Sequence, residues 1–138
     1  MSFLLDANIL LYAFNRDTPQ HLACHGWLWT ALTEEAAVFS TALNEVALLR
    51  ISTGPLQIPA SAAFAFLQDL YAFPNYGRLE FPASSLPLWQ QLVLGLNLKG
   101  NDVNDAHLAA LALTHDLTLV TADRGFTRFA GLRVLTPE

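Results

Sequence analysis

Short apolar runs alternate along this chain with longer segments whose apolar residues recur at helical spacing. That alternation predicts an α/β domain with a mainly parallel sheet, because each short run is buried on both faces and each crossover needs a helix. Ser2–Leu5 reads as a first strand ending at Asp6, and Asn8–Asn15 as the helix behind it. Thr18-Pro19 supplies a cap and a first-turn proline for a helix to about Glu35. Val38–Phe39 reads as a second strand, and Ser40 or Thr41 caps a helix that carries Glu45 and stops at Gly54-Pro55. Further helices are expected from Pro59 or Ser61 to Tyr71 and over Ser84–Leu96, with a third strand at Leu79–Phe81 between them. Residues 103–115 form an Ala/Leu-rich helix, apolar nearly all round, that belongs in the core. Leu117–Val120 is a fourth strand and Leu132–Leu135 a fifth, at the edge. The expected architecture is a three-layer α/β/α sandwich formed by one domain over residues 1–138.

A domain of this length buries enough surface to fold without disulfides or structural zinc. With one cysteine, Cys24, no internal disulfide exists, and a reducing cytoplasm fits best. The 53% hydrophobic content raises the question of a membrane span, and 51–68 and 81–98 are free of charge. Gly54, Pro55 and Pro59 break the first; Pro82, Pro87, Gln90 and Gln91 break the second, so neither is expected to span. Asp6 interrupts the N-terminal apolar stretch and no basic region precedes it, which argues against a signal peptide. The net charge of −5 argues against nucleic-acid binding unless several acids share a metal site. Bound divalent cations would then reverse the local field.

The acids are placed as such a site needs them. Asp6 closes the first strand, Glu45 lies early in the helix after the second, and Asp105 lies in the first turn of the core helix. Asp123 follows the fourth strand by a few residues. In layered α/β folds such positions meet at one edge of the sheet. Clustered carboxylates suit Mg²⁺ or Mn²⁺, which prefer hard oxygen ligands and activate water for phosphodiester hydrolysis. Each acid alone has a plainer reading, as a turn residue, a solvated helix residue or a helix N-terminal charge. Asp102 stands one turn before Asp105, and both readings, cap or ligand, stay open for it. His107 lies two residues past Asp105, which points it away from that face. Among the basic residues, Arg16 and Lys99 lie near the predicted site edge.

Together, Phe3-Leu4-Leu5-Asp6-Ala7-Asn8-Ile9-Leu10, Ser40-Thr41-Ala42-Leu43-Asn44-Glu45-Val46, Asn104-Asp105-Ala106-His107-Leu108-Ala109-Ala110-Leu111-Ala112 and Leu119-Val120-Thr121-Ala122-Asp123-Arg124-Gly125-Phe126 resemble a PIN domain. More narrowly the chain resembles the VapC toxins of bacterial type II toxin–antitoxin pairs. The resemblance is strongest at the two ends and weakest across 52–100. It implies a Mg²⁺- or Mn²⁺-dependent endoribonuclease whose metal-binding carboxylates are Asp6, Glu45, Asp105 and Asp123. It also implies that Asn8 and Thr121 support the site by hydrogen bonding, that the chain dimerises, and that a VapB-like antitoxin covers an apolar groove. The aromatics Trp27, Trp29, Phe64, Phe66 and Trp89 are candidates for that groove, although core packing is the expectation for most of them. Asn104 departs from the Thr, His or Ser often found before the third acid.

Two other functions compete. A haloacid-dehalogenase-like phosphohydrolase would use Asp6 as nucleophile, but it wants an acid where Asn8 stands. A non-catalytic binding module of the same fold would have no need of the acids.

Overall fold

A computed structural model describes residues 1–138. Five parallel strands form one sheet in the order β3-β2-β1-β4-β5, with β1 at Ser2–Leu5, β2 at Ala37–Thr41, β3 at Tyr76–Leu79, β4 at Thr118–Val120 and β5 at Val134–Leu135. The helices are α1 (Ala7–Phe14), α2 (His21–Thr33), α3 (Ala42–Thr53), α4 (Ala60–Tyr71), α5 (Leu86–Gly95) and α6 (Asp102–Thr114).

Strand alternation sorts the core into two halves. Phe3 and Leu5 face one side, where they pack with Ile9 and Leu10 of α1, Leu28 of α2, Leu48 of α3 and Leu70 of α4. Leu4 faces the other side and packs with Ala109 and Leu111 of α6, Leu119 of β4, Phe126 and Phe129, with Trp89 and Leu92 of α5 closing the layer. Residues 108–112 of α6 are all buried, so this helix lies in the core as its apolar composition predicts. Trp27, Trp29, Phe66 and Trp89 pack against these two cores, whereas Phe64 is 54% exposed.

Several element boundaries differ from the sequence expectation by a few residues, and three have a visible cause. β3 is Tyr76–Leu79 rather than Leu79–Phe81: Asn75, just ahead of it, donates to the carbonyls of Leu32 and Ala36 and starts the strand early. α2 starts at His21 rather than Pro19, since the Thr18 hydroxyl turns back to the Asn15 carbonyl instead of capping forward. α5 starts at Leu86, after a short 3-10 turn over Ala83–Ser85, with Pro87 in its first turn.

The strand order fixes where a site can form. From β1 the chain moves outward to β2 and β3, then returns to the other side of β1 for β4 and β5. The connections after β1 and β4 therefore diverge and leave a crevice at the carboxyl ends of those two strands. No helix is long and apolar enough to cross a membrane.

Candidate functional site

Asp6 stands at the mouth of that crevice. Its backbone N–H still bonds to the Val120 carbonyl of β4 (2.9 Å), and its extended backbone (φ −75°, ψ 158°) makes it the N-cap of α1. Its Oδ1 accepts from the N–H of Ala7 at 2.7 Å, and its Oδ2 accepts from the Thr121 hydroxyl at 2.7 Å. The Thr121 hydroxyl in turn accepts from the N–H of Asp123 (3.0 Å) and from Asn8 Nδ2 (3.4 Å). Asn8 Oδ1 accepts from the N–H of Ala122 at 3.3 Å. A closed ring of hydrogen bonds thus ties the end of β1 to the turn after β4. Asp123 Oδ1 accepts from the N–H of Gly125, which opens the 3-10 turn Arg124–Arg128.

α6 brings Asp105 to the opposite side. Gly100 adopts φ +59°, a left-handed conformation, just before the helix, and Asp102 and Asp105 occupy its first turn, where the helix dipole favours negative charge. Asp105 and Asp102 approach Nη2 of Arg128 at 3.3 and 3.5 Å. Arg128 also donates to the Gly125 carbonyl and lies over the Phe129 ring, 4.8 Å from its centroid.

Asp6, Asn8, Asp105 and Asp123 line one cleft of about 480 Å³, together with Asn44, Arg50, Asn101, Asn104 and His107. Burial pushes the Asp6 carboxyl above its ordinary range, with the Asp123 charge adding to the rise and the bonds from Thr121 and Ala7 opposing it. Burial likewise raises Asp105, with the negative charges of Asp6 and Asp123 adding to it and Arg128 opposing. These carboxylates interact and repel one another.

The donor set fits a hard divalent ion. It offers carboxylate and amide oxygens, with no cysteine in the cleft. No three acidic or histidine side chains converge closely enough to enclose an ion by themselves.

Glu45, expected beside the other acids, does not line this cleft. It is 3% exposed on α3. Oε2 accepts from Ser40 and Tyr71, both at 2.6 Å, and from Tyr76 at 3.3 Å. Oε1 accepts from Arg78 Nε at 3.0 Å and pairs with its guanidinium. The reason is helical phase. Asn44, Ala47 and Arg50 face the cleft, and a neighbouring position is turned by about 100°. Glu45 therefore points toward β2, β3 and α4. Burial alone would raise its carboxyl, but the bonds from Ser40, Tyr71 and Arg78 and the Arg78 charge outweigh it and hold the group below its ordinary value.

Asp102 also lies outside the cleft lining; its side chain is 58% exposed and paired with Arg128. Arg16 and Lys99 do not line the cleft, and Arg50 does. His107 lines it too, contrary to the helical-face argument, because the cleft wraps far enough round α6 to take in Asn104, Asp105, His107 and Leu108. Position 8, where a phosphohydrolase with an Asp6 nucleophile needs an acid, holds an amide bonded to Thr121 and Ala122.

The sequence model of the PIN domain family matches residues 3–132. Ribonuclease VapC31 of Mycobacterium tuberculosis is 32% identical over 139 aligned residues, covering 98% of each chain. Ribonuclease VapC37 of the same organism is 32% identical over 134 residues, 94% of this chain and 93% of its own. Among solved structures, VapBC2 from Rickettsia felis, bound to a DNA fragment from its promoter, superposes with a TM-score of 0.76 at 20% identity over 100% of both chains. Mycobacterium tuberculosis VapC20, a sarcin–ricin loop cleaving toxin, gives 0.71 at 16% identity over 96% of this chain and 99% of that one. At these identities the two structures speak for the fold, while the two ribonucleases cover the chain nearly end to end.

Proposed function

The chain belongs to the PIN domain family, and from that premise we propose that it is a toxin endoribonuclease of the VapC kind, hydrolysing RNA phosphodiester bonds with Mg²⁺ or Mn²⁺. One observation carries the reading: Asp6, Asp105 and Asp123, drawn from β1, α6 and the turn after β4, line one cleft with raised carboxyl affinities for protons on two of them. Carboxylates whose proton affinity is raised by burial and by one another's charge are carboxylates that a divalent cation would satisfy.

In the proposed mechanism Asp6 and Asp105 would hold the ion, and Asp123 would add negative charge in the cleft. A bound Mg²⁺ or Mn²⁺ supplies polarisation of the phosphoryl oxygen and a more acidic bound water. Thr121 and Asn8 keep Asp6 Oδ2 in one orientation through the 2.7 and 3.4 Å contacts. Arg128 neutralises part of the Asp105 charge while no metal is bound, so the folded chain tolerates the cluster. Glu45 acts at a distance from the cleft by fixing α3 to β2, β3 and α4.

The proposed partners are RNA, a VapB-like antitoxin and a second copy of the chain. Leu22 is 85% exposed, Leu94 70% and Phe64 54%, which is apolar surface that a protein partner relieves. The proposed place of action is the cytoplasm, where RNA is at hand and Cys24 stays reduced.

The test is RNA cleavage by the purified, antitoxin-free chain with Mg²⁺ or Mn²⁺. Cleavage that EDTA stops, and that Asp6→Asn and Asp105→Asn abolish, is the expected result. Equal cleavage by wild type and both variants would place the activity elsewhere. A covalent phosphate trapped on Asp6 would move the chain to the phosphohydrolase reading.

A further inference from the structure

Two cleft residues outside the acid cluster have no partner within the protein. Arg50 is the one cation that lines the cleft. It makes none of the chain's ion pairs, all of which engage Arg78, Arg128 or Arg133. It sits in the last turn of α3, where the helix dipole favours a cation without engaging its guanidinium. On the facing wall, formed by α6, His107 has one side of its ring stacked on Phe81 (centroids 3.9 Å, planes 21° apart) and meets Trp89 at right angles (4.9 Å, 88°). Trp89 is itself tied down by a bond from Nε1 to the Val103 carbonyl at 3.1 Å. The imidazole is held in place, and neither of its nitrogens is used by any hydrogen bond of the fold. Asp6 lines the same cleft, as does Asp105, two residues before His107 on α6.

A planar, always charged fork on one wall suits a phosphate. A fixed, unpartnered ring nitrogen on the other suits the edge of a base, and its fixation lowers the entropy lost on binding. We propose that the cleft holds single-stranded RNA across the acid cluster, with Arg50 on a backbone phosphate and His107 hydrogen-bonded to the edge of a nucleobase beside the scissile bond. The inference rests on the ribonuclease reading above and adds the residues that grip and select the substrate. Single strands are specified because a base edge is free to reach His107 only when it is unpaired. Arg50 then contributes affinity without sequence preference, and His107 contributes preference.

The two roles separate in one experiment. Fluorescent single-stranded RNA oligonucleotides that differ in base sequence are cleaved by wild type, Arg50→Gln, Arg50→Lys, His107→Phe and His107→Asn, with kcat/KM measured over a range of salt. Arg50→Gln is expected to lose about tenfold on every RNA. Its log–log salt slope should be shallower by about 0.7, the value for one phosphate contact on a single strand. Arg50→Lys should recover most of the slope. His107→Phe keeps the stack on Phe81 and is expected to change the ranking of the RNAs, with the salt slope unchanged; His107→Asn keeps a donor and acceptor and should retain part of the ranking. Melting curves of each variant show that it is folded. An unchanged slope in Arg50→Gln, or an unchanged ranking in His107→Phe, overturns the inference while cleavage by the wild type leaves the ribonuclease reading standing. A wild type that neither binds nor cleaves any RNA removes both.

Discussion

The Thr121 hydroxyl donates to Asp6 Oδ2 at 2.7 Å and accepts from the backbone of Asp123 at 3.0 Å, so one side chain sets the position of two acids. The two residues lie 115 positions apart and meet because β1 and β4 are neighbours in register, Leu5 beside Val120. Thr121 is fully buried, so its hydroxyl has no solvent to turn to if Asp6 is lost.

Thr121→Val keeps the shape and removes the hydroxyl. It leaves the Asp6 carboxylate without one of the two bonds that oppose its raised proton affinity. Cleavage is expected to fall about 10- to 100-fold, the usual scale for losing a group that orients a metal ligand. Thr121→Ser should recover most of it. A Val variant with full activity would show that Asp6 is positioned by Ala7 alone.

Asp6→Asn and Asp105→Asn are expected to lower cleavage by at least about 100-fold, the scale on which losing one charge-stabilising group slows an enzyme. In metal-free protein the same substitutions should leave thermal stability unchanged or raise it, because they remove like-charge repulsion. Added Mg²⁺ or Mn²⁺ should raise the melting temperature of the wild type and not of the variants. At a hundredfold excess over Kd the stabilisation is about 2.7 kcal/mol. Melting curves with and without metal decide it; a large loss of stability in the metal-free variants would make these acids structural.

The pH dependence of metal binding follows from the same shifts. Asp6 and Asp105 both sit above their ordinary value of 3.8 in the metal-free fold. Their raised proton affinity means that protons begin to displace metal at a higher pH than for ordinary carboxylates. In the metal-free protein these two groups favour the folded state as pH falls through their folded values toward 3.8, since the fold then binds more protons than the unfolded chain. Metal titrations taken downward from pH 7.5 should therefore show binding that weakens as the two carboxyls take up protons, with proton uptake on metal release. Affinity that stays constant down to pH 3.8 would contradict the raised proton affinities.

Much of the site was legible because its residues are local to strand ends. Asp6, Asn8, Thr121 and Asp123 each follow an apolar strand by a few positions, and a parallel sheet brings such ends together. α3 was legible as a helix, from its Thr41 cap to its stop at Gly54, but its inward face was not, because its polarity pattern runs against its burial. Leu43 and Val46 are 60% and 62% exposed on the cleft side, while Glu45 and Ser52 are buried. No hydrophobic periodicity tells which face of such a helix points inward. β3 was placed too late for a related reason: Gly77 and Arg78 lie within it, and only the ladder to Phe39 and Ser40 reveals them as strand. Arg50 lies outside the quoted motifs and His107 lies inside one without a role of its own; their shared cleft becomes visible only in the fold.

Glu45 gives the prediction of opposite sign to Asp6. Its folded carboxyl lies below its ordinary value of 4.5, so the charged form is bound more tightly in the fold than in the unfolded chain. That contribution is fully present above about 4.5 and is lost as pH falls through the lower folded value. Glu45→Gln keeps the size but replaces one of the two accepting oxygens with an NH2 donor and removes the charge that faces Arg78, and it should cost about 1.5–3 kcal/mol at pH 7, the scale for hydrogen bonds to a charged group. For a chain of this length that is a melting point lower by about 5–10 °C. The contributions of Asp6 and Asp105 run the other way with pH but are common to both proteins, so they cancel in the difference. The two melting curves should therefore converge as the solution is made more acidic than about pH 4. A gap that is the same at pH 7 and pH 3 would mean that Glu45 stabilises through packing rather than through its charge, and no gap at either would mean that its network with Ser40, Tyr71, Tyr76 and Arg78 does not hold α3 to the sheet.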